Sequence, residues 1–321
     1  MPMRISVVIP TYNRAATLRK ALEGYARQSG DHQLLEVLVV DDGSQDDTEA
    51  VVRQFSRESD LPVRHLKQEN LGISAARNHA LREARGELIL FGDDDIIPSP
   101  GMVAEHVAWH NRYPEPEVGV LGHIAWAREL HPTPFMEWSG LYGPQFNFGY
   151  FKRGMQLDFR YAYFCNTSVK LRFLERNGVF DERFRSYGYE DLELSYRLGK
   201  NGYRLLYNPD AAGFHYKYET FEDTLRRVRK LHEAWPTFSE TEAGQELRKL
   251  LLSHDRQSKR WGALKRTLKP LKSCVMPLLR PLCNTHVPLP GWLYNQVFYH
   301  YVKPIFDDRF PAQEFPVRGT K

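Results

Sequence analysis

Over the first hundred residues, short continuous apolar runs alternate with stretches whose apolar positions recur at helical spacing. Ile5-Ser6-Val7-Val8-Ile9 is a largely β-branched run that stops at Pro10 and the turn formers around Asn13. From about Ala15 to Gln28, Leu18, Leu22 and Tyr25 fall on one helical face. A second run, Leu35–Val40, breaks at Asp41-Asp42-Gly43-Ser44, where Ser44 or Asp46 can cap a helix over roughly Asp47–Glu58. Val63–Lys67 predicts a third strand, Ile73–Ala84 a helix, and Glu87–Phe91 a fourth strand. Strands apolar throughout, separated by amphipathic helices, predict a parallel sheet covered on both faces. The fold class expected is therefore α/β and doubly wound.

After Pro100 the rhythm weakens. Met102–Arg112 reads as a helix and Val118–Trp126 as a strand. Residues 127–160 are rich in Pro, Gly and aromatics and read as a long loop region able to cover a cleft. Residues 161–170 are strand-like, 171–177 a short helix, Asp191–Lys200 a helix, and Tyr203–Tyr207 a last strand before Asn208-Pro209. From Phe221 the chain is mostly helical. The expected organisation is a domain over 1–220, in two halves (1–100 and 101–220), followed by a basic helical and aromatic tail over 221–321.

Composition narrows the class. The chain has 321 residues, 42% apolar and 26% charged, which excludes wholesale disorder. Three cysteines, Cys165, Cys274 and Cys283, are too few and too scattered for a disulfide framework or a zinc cluster, and point to a reducing compartment. No apolar run reaches the roughly 18 to 20 residues of a bilayer span, and the start lacks the stages of a signal peptide, so a cytoplasmic location is expected. The net charge is only +4, but it is unevenly placed: from Glu222 onward 18 Lys/Arg face 10 Asp/Glu, against 26 and 30 before it.

In open parallel sheets, ligands bind beyond the carboxyl ends of the strands. There the first strand offers Pro10-Thr11-Tyr12-Asn13-Arg14, the second Asp41-Asp42-Gly43-Ser44, and the fourth Gly92-Asp93-Asp94-Asp95. Three consecutive carboxylates repel one another and raise each other's pKa. A divalent cation relieves that repulsion, and hard oxygen ligands favour magnesium or manganese; the plainer reading is a solvated acidic turn. The chain has no Gly-x-Gly-x-x-Gly after the first strand and no Gly-x-x-x-x-Gly-Lys-Ser/Thr. Dinucleotide oxidoreductases and P-loop phosphotransferases are thereby disfavoured, and a diphosphate held through a metal on Asp95 fits better.

Read in order, Val8-Ile9-Pro10-Thr11-Tyr12-Asn13-Arg14, Val39-Val40-Asp41-Asp42-Gly43-Ser44, Asn70-Leu71-Gly72, Ala76-Arg77-Asn78, Phe91-Gly92-Asp93-Asp94-Asp95, Gly178-Val179-Phe180-Asp181-Glu182 and Tyr189-Glu190-Asp191-Leu192-Glu193-Leu194 resemble the family 2 glycosyltransferases of the GT-A fold. The resemblance covers about residues 4–220. It implies a GT-A type, mostly parallel sheet with a C-terminal basic appendage, and an inverting transferase using a nucleotide-diphosphate sugar, a UDP-sugar before others. Carried over, Pro10, Thr11 and Tyr12 would line base and ribose, with Arg14 in the same donor site. Asp42 or Asp41 would read the base, and Arg77 would lie near the nucleotide. Asp93 and Asp94 would face ribose and sugar, and Asp95, with Asp93, would hold a manganese or magnesium ion. The chain departs from the family where Gly92 replaces a frequent hydrophobic residue and Ile96 a further carboxylate.

Glu190-Asp191 opens a helix, whose dipole steadies carboxylates. An inverting displacement needs a base for the acceptor hydroxyl; the resemblance gives that role to this pair, with Asp191 as base and Glu190 orienting it, against the plain reading of an acidic first turn. The resemblance also makes His215, after the last strand, a metal-ligand candidate, against a structural histidine. His106 and His110 are spaced i, i+4 but lack the Glu of a zinc peptidase helix, and read as a helix face.

Between Leu247 and Lys272 nine Lys/Arg and one acid are mixed with Leu and Trp261, and aromatic residues follow in Trp292–Val302. Such a segment suits an anionic membrane surface, which would make the protein peripheral on the inner face of the cytoplasmic membrane; the alternative is helices packed on the domain. No nucleic-acid reader motif accompanies the charges. The function expected is sugar transfer to a glycan or lipid-linked acceptor in cell-envelope polysaccharide, lipopolysaccharide or glycolipid synthesis. Two other readings are a catalytically silent carbohydrate-binding or scaffold protein, disfavoured because Asp93, Asp95 and Asp191 are all present, and a sugar nucleotidyltransferase, disfavoured by Thr-Tyr-Asn-Arg-Ala-Ala in place of a Gly-rich phosphate loop.

Overall fold

The computed structural model describes residues 3–28, 34–185, 188–258 and 269–306. Two compact units emerge, one of residues 1–127 and 151–217, the other of residues 128–150 and 218–321. The anticipated loop region 127–160 is thus shared: residues 128–150, which include helix Pro134–Leu141, belong with the C-terminal unit.

The first unit is built on a nine-stranded sheet. Its strands are β1 (Ile5–Thr11), β2 (Leu34–Asp41), β3 (Val63–Lys67), β4 (Leu88–Gly92), β5 (Ile96–Pro98), β6 (Val118–Trp126), β7 (Gln156–Leu157), β8 (Asn166–Lys170) and β9 (Arg204–His215), in the order β3-β2-β1-β4-β8-β6-β9-β5 with β7 on β9. The half β3-β2-β1-β4 is parallel throughout, as its unbroken apolar strands require. Ile5, Val7, Ile9, Val37, Val39, Leu88 and Leu90 are buried, with Leu18, Leu22 and Tyr25 of helix Ala15–Ala26 on one face. The other half is mixed: β8 runs antiparallel to β4 and β6, and β5 antiparallel to β9.

β9 extends well past the break expected at Asn208-Pro209. Along the β6–β9 ladder Gly122 faces Asn208, but His123 faces Ala212, so residues 209–211 form a bulge. A proline tolerated at an irregularity loses no ladder hydrogen bond, and the strand resumes to carry His215 to the site. The short strand β8 is polar, Asn-Thr-Ser-Val-Lys, yet wholly buried. Helix Met102–Arg112 satisfies it: His106 bonds Ser168 at 2.8 Å and Asn166 at 2.9 Å, His110 bonds Ser168 at 2.9 Å, and Lys170 Nζ lies 3.0 Å from His110 Nδ1. Both histidines are therefore structural.

In the second unit, helix Phe221–Ser239 starts at a capping box between Thr220 and Asp223. Phe135, Trp138, Phe221, Leu225, Cys283, Tyr294, Val297 and Phe298 form its core. The side chains of much of the basic segment 247–272 lie outside the described residues. Among the described residues no helix is long and apolar enough to cross a membrane.

A carboxylate cluster at the strand ends as candidate active site

The carboxyl ends of β1 and β2 are stitched together by their loops. Asn13, in the left-handed region at φ 53°, accepts from the Gln45 amide at 2.7 Å, and its own amide donates to Ser44 Oγ at 2.9 Å. Asp46 caps the start of the first helix through the Ala15 amide at 3.0 Å. Asp41 accepts the Ser44 amide at 2.8 Å, and Asp42 accepts from Gln68 Nε2 and the Leu71 and Gly72 amides at 2.8 to 2.9 Å. Both carboxylates are buried and shape the loops of the pocket wall. Of the first-strand candidates, Thr11 is buried and bonds Asp94 Oδ2 at 2.8 Å, while Tyr12 is exposed.

The three aspartates after β4 diverge. Asp93 faces Arg77, whose Nη2 is 3.4 Å away; Asp94 turns to Thr11; Asp95 Oδ2 meets Arg14 Nη1 at 2.6 Å and His215 Nε2 at 3.4 Å. Gly92 leaves room for Tyr25, whose hydroxyl would sit 2.6 Å from an added Cβ. Burial pushes Asp93 up to about 6 despite Arg77, and burial with repulsion from Asp95 raises Asp94 well above the usual range. Burial also opposes charge on Asp95, but His215 and Arg14 outweigh it and hold that carboxyl below the usual range. His215 is paired to Ile96 on β5 and stacks on Trp126, with ring centroids 5.0 Å apart and planes 14° from parallel.

Glu190 and Asp191 open helix Glu190–Gly199, entered through Tyr189 in the left-handed region at φ 71°. A bulky residue held there stores strain of the kind concentrated at functional sites. Asp191 Oδ1 accepts from Arg77 Nη1 at 2.7 Å, and its Oδ2 accepts the Phe164 amide at 2.9 Å. Glu190 Oε2 accepts the Gly188 amide at 2.9 Å, and Arg77 lies 4.0 Å from its other oxygen. Burial raises both carboxyls, Glu190 to about 7 with Asp191 adding repulsion, while Arg77 pulls both the other way.

Arg77 is the hub. Its side chain is only 2% exposed, donates to the Phe164 carbonyl at 2.8 Å and lies over the Phe180 ring. Burial opposes its charge, but Asp191, Asp93 and Glu190 outweigh that and raise its pKa. Arg77, which the resemblance would put near the nucleotide, joins two carboxylate groups. Next to it, Asn78 donates to the Phe180 carbonyl and Glu182 Oε1 at 2.9 Å and accepts the Phe180 amide at 3.0 Å. The motifs Ala-Arg-Asn and Gly-Val-Phe-Asp-Glu are thus two halves of one clamp. Phe164, Trp126 and Gln68 also shape the site without any signal in the sequence, because each acts through a backbone group, a ring face or an amide in no motif.

A donor set of carboxylate and imidazole suits a borderline divalent ion such as Mn²⁺. Asp95 and His215, both buried and in contact, fit that chemistry; among the described residues no group of three or more such side chains comes together.

Residues 6–173 match the family model described as glycosyl transferase family 2. The chain is 32% identical over 238 residues to the validoxylamine A glucosyltransferase of Streptomyces hygroscopicus subsp. jinggangensis, covering 67% of this chain and 56% of that protein. It is 29% identical over 227 residues to the hyaluronan synthase of Pasteurella multocida, covering 62% of this chain and 23% of that one. The chain thus spans only about half the length of the first of these relatives, and less of the second. In fold it is similar to the mannosyltransferase PcManGT from Pyrobaculum calidifontis, solved with GDP-Man and Mn²⁺, at TM-score 0.62 and 21% identity over 96% of this chain and 89% of that one. It is also similar to the S. aureus protein TarS, residues 1–349, solved with UDP-GlcNAc, at TM-score 0.55 and 21% identity over 98% and 93%.

Proposed function

The chain belongs to glycosyl transferase family 2, and on that premise we propose that it transfers a sugar, with inversion, from a nucleotide-diphosphate donor to an acceptor hydroxyl. One observation carries this reading: Arg77 ties Asp191, the only partly exposed carboxylate of the helix start, to Asp93 at the end of β4. A base and a donor-side carboxylate are thereby held on one rigid buried cation.

The acceptor oxygen attacks the anomeric carbon from the face opposite the leaving diphosphate. Its proton passes to Asp191, whose ionised form can take it; burial and the Asp191 charge together raise the neighbouring Glu190 carboxyl. Asp191 is oriented by two fixed donors, Arg77 and the Phe164 amide, and a base held in place needs no reorganisation as the proton moves. Thr11, Tyr12, Arg14 and the loops set by Asp41 and Asp42 are the donor-binding wall. Asp95 and His215 would hold a divalent cation, manganese before magnesium because of the imidazole, whereas Asp93 turns to Arg77. When bound, such an ion supplies counter-charge to the departing diphosphate. Arg14, now on Asp95, is then placed to turn to the phosphates.

UDP stands first as the base because TarS was solved with UDP-GlcNAc; the GDP-Man complex of PcManGT makes guanine the alternative. The acceptor is a glycan or lipid-linked sugar of the cell envelope. A thermal-shift screen of UDP- and GDP-sugars with and without Mn²⁺ tests the reading, since a ligand bound to the folded state raises apparent stability. A donor that stabilises the protein and is then consumed with release of the nucleoside diphosphate supports it; stabilisation by none of them overturns it.

A further inference from the structure

Between Arg256 and Phe306 the chain carries nine Lys/Arg and no Asp or Glu, while the remainder carries 35 Lys/Arg against 40 Asp/Glu. The cation density of this stretch is close to that of the whole chain; what sets it apart is the absence of any acid to offset it. The described part of the same stretch also exposes large apolar side chains: Leu278 at 75%, Trp292 at 62%, Val287 at 52% and Tyr299 at 39%.

Helix Gly291–Phe306 shows why these exposures are not packing defects. Tyr294, Val297, Phe298 and Val302 face the core of their unit and are buried. The opposite stripe, at i, i+4, i+7 and i+11, is Trp292, Gln296, Tyr299 and Lys303. An outward face that needed only water would carry charges of both signs. This one presents Trp and Tyr with a cation and no carboxylate, the residue types that settle at the headgroup level of a bilayer. Leu278, on helix Lys269–Leu279, and Val287 add aliphatic area. Exposed apolar side chains in a stretch of sequence that carries cations and no acids match one kind of surface, apolar just beneath an anionic skin.

We propose that the exposed face of helix Gly291–Phe306, with Trp292 and Tyr299, inserts shallowly into an anionic phospholipid surface together with exposed Leu278, the acid-free stretch 256–306 supplying the electrostatic attraction. Such insertion reaches only the outer layer of one bilayer face. Insertion of two or three side chains gives weak, reversible attachment, strengthened by the cations and weakened by salt.

Co-sedimentation of the full chain with vesicles, needing no sugar donor, tests this apart from the transferase reading. Binding to phosphatidylcholine–phosphatidylglycerol vesicles should exceed binding to phosphatidylcholine alone by about tenfold or more, and rising salt should reduce it without abolishing it. Leu278→Glu with Trp292→Glu should lower partitioning by about tenfold or more, while the thermal midpoint stays at the wild-type value, since both side chains are mostly exposed. Equal partitioning onto neutral and anionic vesicles by the unaltered chain overturns the proposal without recourse to any variant. So does a double variant that folds and binds as before, or one whose oligomeric state changes in the absence of lipid, which would assign the face to a second copy.

Discussion

Arg77 Nη1 donates to Asp191 Oδ1 at 2.7 Å across 114 positions of sequence. The same guanidinium reaches Asp93 at 3.4 Å. A fully buried cation between two acidic loops sets both their separation and their ionisation. Removing one member of a buried ion pair leaves the other uncompensated, which is the expensive case. Arg77→Ala should therefore lower unfolding stability by about 3 to 5 kcal/mol, measured by denaturant titration. Arg77→Lys keeps the charge but not the fork geometry, so it should recover part of that stability while leaving turnover depressed. A lysine variant with wild-type turnover would mean that the fork geometry does not matter.

Asp191→Asn keeps the shape of the base but cannot accept a proton. Turnover should fall by about a hundred- to ten-thousand-fold, with donor affinity nearly unchanged because the side chain contacts Arg77 and Phe164. Titration calorimetry for donor binding and a coupled assay for diphosphate release read the two quantities separately.

Chelation should abolish transfer, and Mn²⁺ should restore it better than Mg²⁺ if imidazole takes part. His215→Ala should narrow that preference, and Asp95→Ala should remove the response to either ion. Full activity in excess EDTA would refute the metal assignment.

Gly92→Ala places a Cβ 2.6 Å from the Tyr25 hydroxyl, and such overpacking typically costs about 1 to 3 kcal/mol. Among the described residues the buried hydroxyl has no hydrogen-bond partner, so Tyr25→Phe alone should be neutral or stabilising. The double variant should regain most of what the alanine lost, a coupling visible in a thermal double-mutant cycle.

Acid should unfold the first unit through its histidines. Burial depresses His106 to about 4 and His110 well below its usual value. The folded state therefore prefers neutral rings. Stability is fully present above the unfolded value of about 6.5 and is lost as pH falls from there toward about 4. At about 1.4 kcal/mol per pH unit and group, His106 alone accounts for about 3 kcal/mol. His106→Gln should flatten that part of the pH–stability curve.

The parallel half of the sheet, its helices and the three acidic or hydroxyl-rich strand ends were all legible in the sequence. Each rests on local signals: unbroken β-branched runs, helical spacing and turn formers that act over a few residues. The motifs also named residues that the fold brings together at the strand ends, Arg77, Asp93 and Asp191 among them. What the sequence could not show was pairing across long separations. Residues 161–170 read as strand-like, but nothing in Asn166-Thr167-Ser168-Val169-Lys170 announces that the strand is wholly buried, since its polar side chains are acceptable there only because His106 and His110 meet them. Nothing near Asn208-Pro209 announces that β9 continues, because the bulge that accommodates the proline exists only against β6. Arg77 was legible as functional by type, but its partners at 93 and 191 depend on two loops converging. Local chemistry determines which groups are available; only the closed fold decides which carboxylate each cation faces, because that energy is set by distance and burial rather than by order along the chain.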